Sequence, residues 1–436
     1  MRTPHEKPNA GENLMNKQHL KVARLTAVAV TATVGAMTAF AEEVTPGTVL
    51  SAANIDQLKP MTLDGHKIAD LLTESRERLV RELGFEMTLT PKTKELKGSE
   101  KVIRLTEKHK GEASLDDQKR LINHTTGLPF PDISLDDPDA GYKLIYNMLR
   151  TGWTGDTLDL NPMYFLVIDG KKGLQREQGW RFKRYLMTGR IQEPHTVDPE
   201  LVKYESLINL YPQDTRGIGI LTVNYTDARL ADVYAYIKSI RRVRRLSSGA
   251  WADPVSATDI LTDETFAANL DPTWYQNWEL LEKRWILGAS DSEIGPLNLD
   301  ARDPAERFPA MMFDKAPHWN FRDNYSPQEV WVLKGTPPAS HLVSHRIMHI
   351  GTNPGAPLFW GNEFYDRKGE LWRVMTIGFN ERTWEDGQVG PAASIVWVAD
   401  IQRLHATVLY QGQDWQWNPD ADPSDFTPES LPRQLN

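Results

Sequence analysis

The chain contains no cysteine among its 436 residues. That absence excludes disulfides, thiolate metal sites and cysteine nucleophiles. It also excludes a lipoprotein, whose acylated cysteine would stand at the cleavage point, so the processed chain is expected to be untethered. Long apolar runs are scarce as well. The uncharged stretch Leu25 to Phe40 is shorter than the ~20 residues of a membrane span and is rich in Ala, Thr and Val rather than Leu. Catalytic signatures are missing: there is no G-x-S-x-G elbow, H-E-x-x-H, P-loop or G-x-G-x-x-G fingerprint. Gly217-Ile-Gly219 is a lone glycine pair, and no two carboxylates stand out as acid and base. Basic charge is not in excess. The net charge is −9, and residues 1–41 hold five basic side chains (Arg2, Lys7, Lys17, Lys21, Arg24) against two acidic ones (Glu6, Glu12), which leaves −12 on the remainder. Such a chain is a poor partner for nucleic acid or an anionic membrane surface.

What is present begins with a secretion signal. Lys17, Lys21 and Arg24 form a basic region, the short apolar run follows, and Ala39-Phe40-Ala41 is a small-x-small cleavage site before Glu42-Glu43. These are the parts of a cleaved signal peptide, with residues 1–14 as an upstream extension before Met15. The remaining 395 residues suffice for one or two domains.

Residues 42–152 read as a helical and irregular region. Residues 42–65 form an arm, and His66–Leu83 is an amphipathic helix begun by Asp64 and ended by Gly84. The charged segment 86–120 reads as surface structure or a partly mobile loop. Gly127-Leu-Pro-Phe-Pro131 is an extended turn. Asp137 then caps a second helix that buries Leu144, Ile145, Met148 and Leu149. Residues 153–410 change texture to short β-rich runs. The runs are Met163–Asp169, Arg181–Met187, Gly217–Tyr225, Ala231–Leu246, Trp274–Leu287, Glu329–Thr336, His341–Ile350, Leu358–Asp366, Glu370–Phe379 and Ser394–Tyr410. Asp366-Arg-Lys-Gly369 is a hairpin turn with glycine at positive φ. Residues 411–436 read as an irregular tail. No βαβ alternation occurs. The fold expected is mainly β with helices (α+β), a large curved antiparallel sheet with helices on its concave side. Ile395, Val396, Trp397 and Val398 are apolar on both parities, so both faces of that strand must be covered.

Three constellations could carry chemistry. His341, His345 and His349 are spaced by four, but on a strand that is about 13 Å, too far for one metal ion with ~2 Å bonds. No metal, cofactor or catalytic residue is expected. Arg241-Arg-Val-Arg-Arg245 reads as a strand with Arg241 and Arg245 on one face and Arg242 and Arg244 on the other. It is either a solvated, salt-bridged edge or an anion contact at a cavity mouth. The aromatics Trp278, Trp285, Trp331, Trp360, Tyr365, Trp372 and Trp397 fall in expected strands, as ordinary core or as the wall of an apolar cavity. The ligand-binding candidates are Trp278, Trp331, Trp360, Tyr365, Trp372, Trp397, Arg241 and Arg245.

Gly127-Leu-Pro-Phe-Pro131, the Arg241-Arg-Val-Arg-Arg245-Leu run with Asp253-Pro254, and Tyr365-Asp-Arg-Lys-Gly-Glu-Leu-Trp-Arg373 together resemble a family of Gram-negative periplasmic proteins. It is domain-of-unknown-function family 1329, often labelled outer-membrane lipoprotein-sorting protein. The resemblance implies the half-barrel of the LolA and LolB carriers, with helices against an apolar concavity. It also implies a periplasmic carrier or chaperone of lipid-like molecules, working beside an inner-membrane exporter or an outer-membrane partner. It supplies no catalytic residue. The alternatives are a periplasmic hydrolase acting on a lipid or polymer, and an outer-membrane-associated adaptor. If the leader is cleaved as read, protein recovered from the periplasm yields Glu42 as its first residue on N-terminal sequencing. A full-length cytoplasmic product contradicts the reading.

Overall fold

The computed structural model describes residues 42–238, 240–246, 250–292 and 297–435. The expected signal peptide, residues 1–41, lies outside them. Among the described residues, fifteen strands join one sheet. They are β1 (Thr48–Leu50), β2 (Met87–Leu89), β3 (Thr157–Asp169), β4 (Gly173–Leu186), β5 (Leu201–Tyr211), β6 (Ile218–Tyr225), β7 (Asp232–Ile237), β8 (Arg242–Arg245), β9 (Asn277–Ser290), β10 (Asn324–Thr336), β11 (His345–Gly351), β12 (Phe359–Tyr365), β13 (Leu371–Thr383), β14 (Val389–Asp400) and β15 (His405–Trp417). The order is β1-β2-β10-β11-β12-β13-β14-β15-β3-β4-β5-β6-β7-β8, and β9 pairs along β10. Pairing is antiparallel except for two short parallel contacts, β9 with β13 and β2 with β10.

Both faces of the central strands are covered. On β14, Ile395, Trp397 and Ala399 enter one core with Leu50, Leu79, Val80 and Phe85 of the N-terminal arm. Val398 enters the opposite core with Leu144, Ile145 and Met148. Alternation across a strand demands this when every position is apolar.

Among the described residues, three helices exceed two turns: α1 (Glu74–Leu83), α2 (Glu100–Lys108) and α3 (Ala140–Leu149). The helix expected over His66–Leu83 is broken. His66–Lys67 pairs in a small hairpin whose turn holds Asp64 at positive φ, and Ile68–Leu71 is a single turn. Thr73 then caps α1 and Gly84 ends it at φ 63°. The cap of α3 is Asp139, two residues beyond Asp137. The charged segment 86–120 contributes to the core after all: α2 buries Val102 and Leu105 against Trp415 and Trp417. Gly127 has φ 76°, and a Cβ there would stand 2.6 Å from the Thr106 nitrogen, so this turn requires glycine.

Several strand boundaries differ from expectation. Ala231–Leu246 is two strands, with Arg241 at φ 49° in the turn rather than in β8. Ser394–Tyr410 is likewise two, turning through Leu404 at φ 54°. β15 runs on to Trp417, into the stretch expected as tail, and β5 was not expected at all. The hairpin between β12 and β13 is as read: Gly369 has φ 80° and its N–H donates to the Asp366 carbonyl at 2.9 Å. Because that φ is strained for a β-branched residue, Gly369→Val should lower stability by about 1–2 kcal/mol. An unchanged denaturation midpoint contradicts the turn's role.

Candidate functional site

Nine neighbouring strands, β12 through β15 and β3 through β7, line a single cavity of about 370 Å³. Laid flat they would extend about 38 Å at the usual ~4.8 Å spacing. To face one cavity they must wrap around it, and this is the half-barrel. α3 offers Met148 and Leu149 to the same space.

Register places each lining side chain. Phe182 of β4 sits opposite Leu160 of β3 and Leu207 of β5, and Leu207 sits opposite Ile220 of β6. On its other side Leu160 sits opposite Trp415 of β15, and a second apolar rung runs through Phe165, Leu409, Val396 and Ile377. One step along the strands from Phe182, about 7 Å away, the rung is Leu158, Arg184, Glu205, Thr222 and Val233. The following rung is Leu186, Lys203 and Asn224. All of these residues face the cavity, so its wall passes from apolar to polar within one step.

The polar end is tightly connected. The Lys203 Nζ donates to Glu205 at 2.6 Å, and the Asn269 amide donates to the other Glu205 oxygen at 3.0 Å. The Arg184 Nη2 donates to the Thr154 hydroxyl at 2.9 Å and the Gly155 carbonyl at 2.7 Å. Burial pulls the Arg184 pKa down to about 10, against the attraction of Glu205 and Asp156. It pulls Lys203 down as well, against its Glu205 partner.

Residues 250–276 cover the cavity as a run of short 3-10 turns, to which Trp251, Ile260, Thr262 and Trp274 contribute lining. Among the contacts that hold this cover, two join it to β13 and β15 through charged groups. Arg373 of β13 grips Glu264 through two hydrogen bonds of 2.5 and 2.6 Å and donates to the Asp259 carbonyl at 2.6 Å, all buried. Burial raises the Glu264 pKa, and the Arg373 charge opposes that rise. The Asp259 carboxylate also accepts from His405 and Thr407 of β15, each at 2.8 Å. The exposed lining residues Leu246, Asp253 and Pro254 mark the mouth.

None of the eight residues expected to bind ligand lines this cavity. Trp278 is buried and stacked on Tyr275 at 4.6 Å, with Arg346 over its ring at 5.3 Å. Trp360 meets Phe379 edge-on, one layer behind the wall. Trp397 is stacked on Phe85 in the opposite core. Trp331 lies under Lys283, and Trp372 donates to Asp400 at 2.8 Å. Tyr365 is stacked on His345 and donates to Glu363. Arg241 is exposed in its turn, and Arg245 pairs with Asp232 on the surface. The three histidines do not converge: His341 precedes β11, His345 stacks on Tyr365, and His349 is buried near Glu363. Among the described residues, no group of three or more His, Asp or Glu could hold a metal ion. Sequence reasoning missed the polar rungs, Arg184, Lys203 and Glu205 above all. Their signal was a strand in which one parity changes from charged to apolar partway along.

A family model described as protein of unknown function (DUF1329) matches residues 49–432. No curated protein matches the sequence. Similar solved structures include a putative outer membrane lipoprotein-sorting protein domain from Vibrio parahaemolyticus. It is 17% identical, covers 64% of this chain and 92% of its own, and has a TM-score of 0.44. A DUF1329 family protein from Desulfovibrio piger is 14% identical over 67% of this chain and 98% of its own, with a TM-score of 0.45. A LolA superfamily protein from Nitrosomonas europaea is 14% identical over 62% and 90%, with a TM-score of 0.36.

The cover's attachment to β15 contains a titratable imidazole. The hydrogen bond to Asp259 holds the His405 pKa above its ordinary value, against desolvation. A raised imidazole pKa contributes stability in full below about pH 6.5, and this is lost as pH rises through the folded value. Wild type should therefore lose stability to denaturant as pH rises above about 6.5, and His405→Gln should flatten that slope. Asp323, which burial pushes up to about 7, titrates in both proteins and cancels in the comparison. Identical slopes contradict the role of His405.

Proposed function

The chain belongs to the DUF1329 family, matched over residues 49–432, and on that premise we propose that it is a carrier. It holds one hydrophobic or lipid-like molecule non-covalently and conveys it through the periplasm. The observation that carries this reading is the cavity of about 370 Å³ walled by nine strands. That volume falls within the roughly 300–1,000 Å³ of sites for a single drug-sized ligand. Burying apolar surface at ~25 cal/mol per Å² supplies the affinity, and the few polar groups fix orientation.

A secretory leader followed by an untethered chain suits passage between two membranes. Among the described residues, no helix is long and apolar enough to cross one. The exposed mouth at Leu246, Asp253 and Pro254 is where an inner-membrane exporter or an outer-membrane partner would meet the ligand. A carrier is favoured over a hydrolase because no histidine among the described residues lines the cavity. Its buried carboxylates, Glu205 and Glu264, are each engaged by a cation.

Tryptophans 153, 251, 274, 415 and 417 line the cavity, so binding can be read from their emission. The neutral fluorophore N-phenyl-1-naphthylamine should bind the purified protein one to one and quench tryptophan emission. Ile220→Glu, which places a charge in the apolar rung, and Leu207→Trp, which fills it, should each weaken binding at least tenfold with near-UV circular dichroism preserved. Absent binding to wild type, or undiminished binding to both variants, overturns the carrier reading.

A further inference from the structure

We infer that the β4–β6 end of the cavity is a binding site for an anionic head group, so that the ligand is an amphiphile carrying a carboxylate or a phosphate. The inference rests on the carrier reading and deepens it.

Charge is the first argument. Arg184, Lys203 and Glu205 line this end, one carboxylate against two cations. Lys203 and Glu205 neutralise each other at 2.6 Å. The hydrogen-bond partners of Arg184 are a hydroxyl and a carbonyl, both neutral. The surrounding groups do not change the balance. Arg150 pairs with Asp271 at 2.8 Å, and Arg190 stands 3.9 Å from Asp156. Asp156 does not line the cavity, and its oxygens accept from the Ile191 and Gln192 backbone. Glu264, also in the lining, is neutralised by Arg373, and Asp253 is exposed at the mouth, so one positive charge remains in excess at this end. Glu205 and Asp156 attract Arg184, but burial outweighs them and lowers its pKa, because drawing a cation out of water is costly. An anion placed beside it relieves the cost, and a guanidinium matches the two oxygens of a carboxylate or phosphate.

Unpartnered polar atoms are the second argument, independent of charge. Arg184 Nε, Asn224 Oδ1 and Asn269 Oδ1 are buried without a hydrogen-bond partner, and all three residues line this same end. Buried polar atoms are ordinarily satisfied. Three orphans, one donor and two acceptors, at one end of a ligand-sized cavity describe a recognition surface for a polar group.

Register is the third. The polar rung of Arg184 and Glu205 lies one step from the apolar rung of Phe182, Leu207 and Ile220. A molecule whose head meets Arg184 therefore lays its body against the apolar wall. A wholly apolar ligand would leave the polar end unmet, and a small free anion would leave the wall unmet.

The test compares four probes of one chain length on the intact purified protein: dodecanoate, dodecyl phosphate, dodecanol and dodecyltrimethylammonium. Affinities are read by displacement of N-phenyl-1-naphthylamine at pH 7. At least one of the two anions should bind tenfold or more tighter than dodecanol, and the cation should bind more weakly than dodecanol. Which anion leads assigns the head as carboxylate or phosphate. Arg184→Gln should bring the anions and dodecanol to within twofold of each other, and Arg184→Lys should keep part of the preference. The wild-type comparison stands even where a variant fails to fold. If dodecanol binds as tightly as both anions, or if Arg184→Gln keeps the full preference, the head-group site is overturned and the carrier reading survives. If wild type binds neither the fluorophore nor any probe, the carrier reading fails and this inference fails with it.

Discussion

A bidentate ion pair between Arg373 and Glu264, shut away from water, decides where the cover lies and so whether a cavity exists. Two charges removed from water are tolerated only when each meets the other in good geometry, and losing one partner costs about 3–5 kcal/mol. Here the guanidinium meets both carboxylate oxygens and the Asp259 carbonyl as well. The segment it anchors consists of 3-10 turns of three to six residues, too short to hold their own shape. Their position comes from the attachment. Arg373 shares its strand face with Met375 and Ile377, which line the cavity. A cover seated on a charged point above an apolar wall does not have to fill the space beneath with its own side chains. That is how a molecule with two well-packed cores keeps a void between cover and sheet.

Most of the sheet was legible because apolar alternation survives where both faces are buried. Ile395, Val396, Trp397 and Val398 announced two covered faces, and the structure divides them between two cores. The boundaries that failed did so for a conformational reason. Turns between strands are recognised by glycine, proline, asparagine or aspartate, yet two turns here place Arg241 and Leu404 at positive φ. Side chains of that size seldom adopt the left-handed region, so the pattern showed no interruption and two hairpins read as single strands. β5 was missed because its inward positions begin with Lys203 and Glu205 and turn apolar only at Leu207. A strand facing a polar cavity end on one side and a packed core on the other shows no clean period.

The site was less legible than the fold, and the tryptophans show why. Large aromatics fill volume, so the most conspicuous of them settle where packing is densest. Trp278, Trp360 and Trp397 are almost wholly buried. Parity sends Trp397 to the arm side of β14, while its neighbour Val396 faces the cavity. Walls need side chains that stop short. Leucine, isoleucine, valine and methionine at alternate positions leave room where tryptophan would close it. A composition rich in tryptophan therefore argues for a large core before it argues for a lined cavity.

Register turns these local choices into a graded surface. Because side chains alternate with a period of two, a one-residue slip of β5 against β4 would carry Lys203 and Glu205 to the other face of the sheet, away from Arg184. The register is held by Phe182 and Leu207, which pair on the apolar rung and bury area only in this alignment. The apolar rung thus fixes the place of the polar one. Arg184 beside neutral partners, and two further polar side chains with atoms left unpaired, are poor choices for stability alone. Local rules are broken in this way where a site asks for something other than packing. The same pairing that stabilises the half-barrel aims its least stable residues at whatever enters the cavity. On the carrier reading, a cavity that is apolar for most of its depth and holds Arg184 at one end admits an amphiphile in one orientation, since only that direction of entry satisfies both.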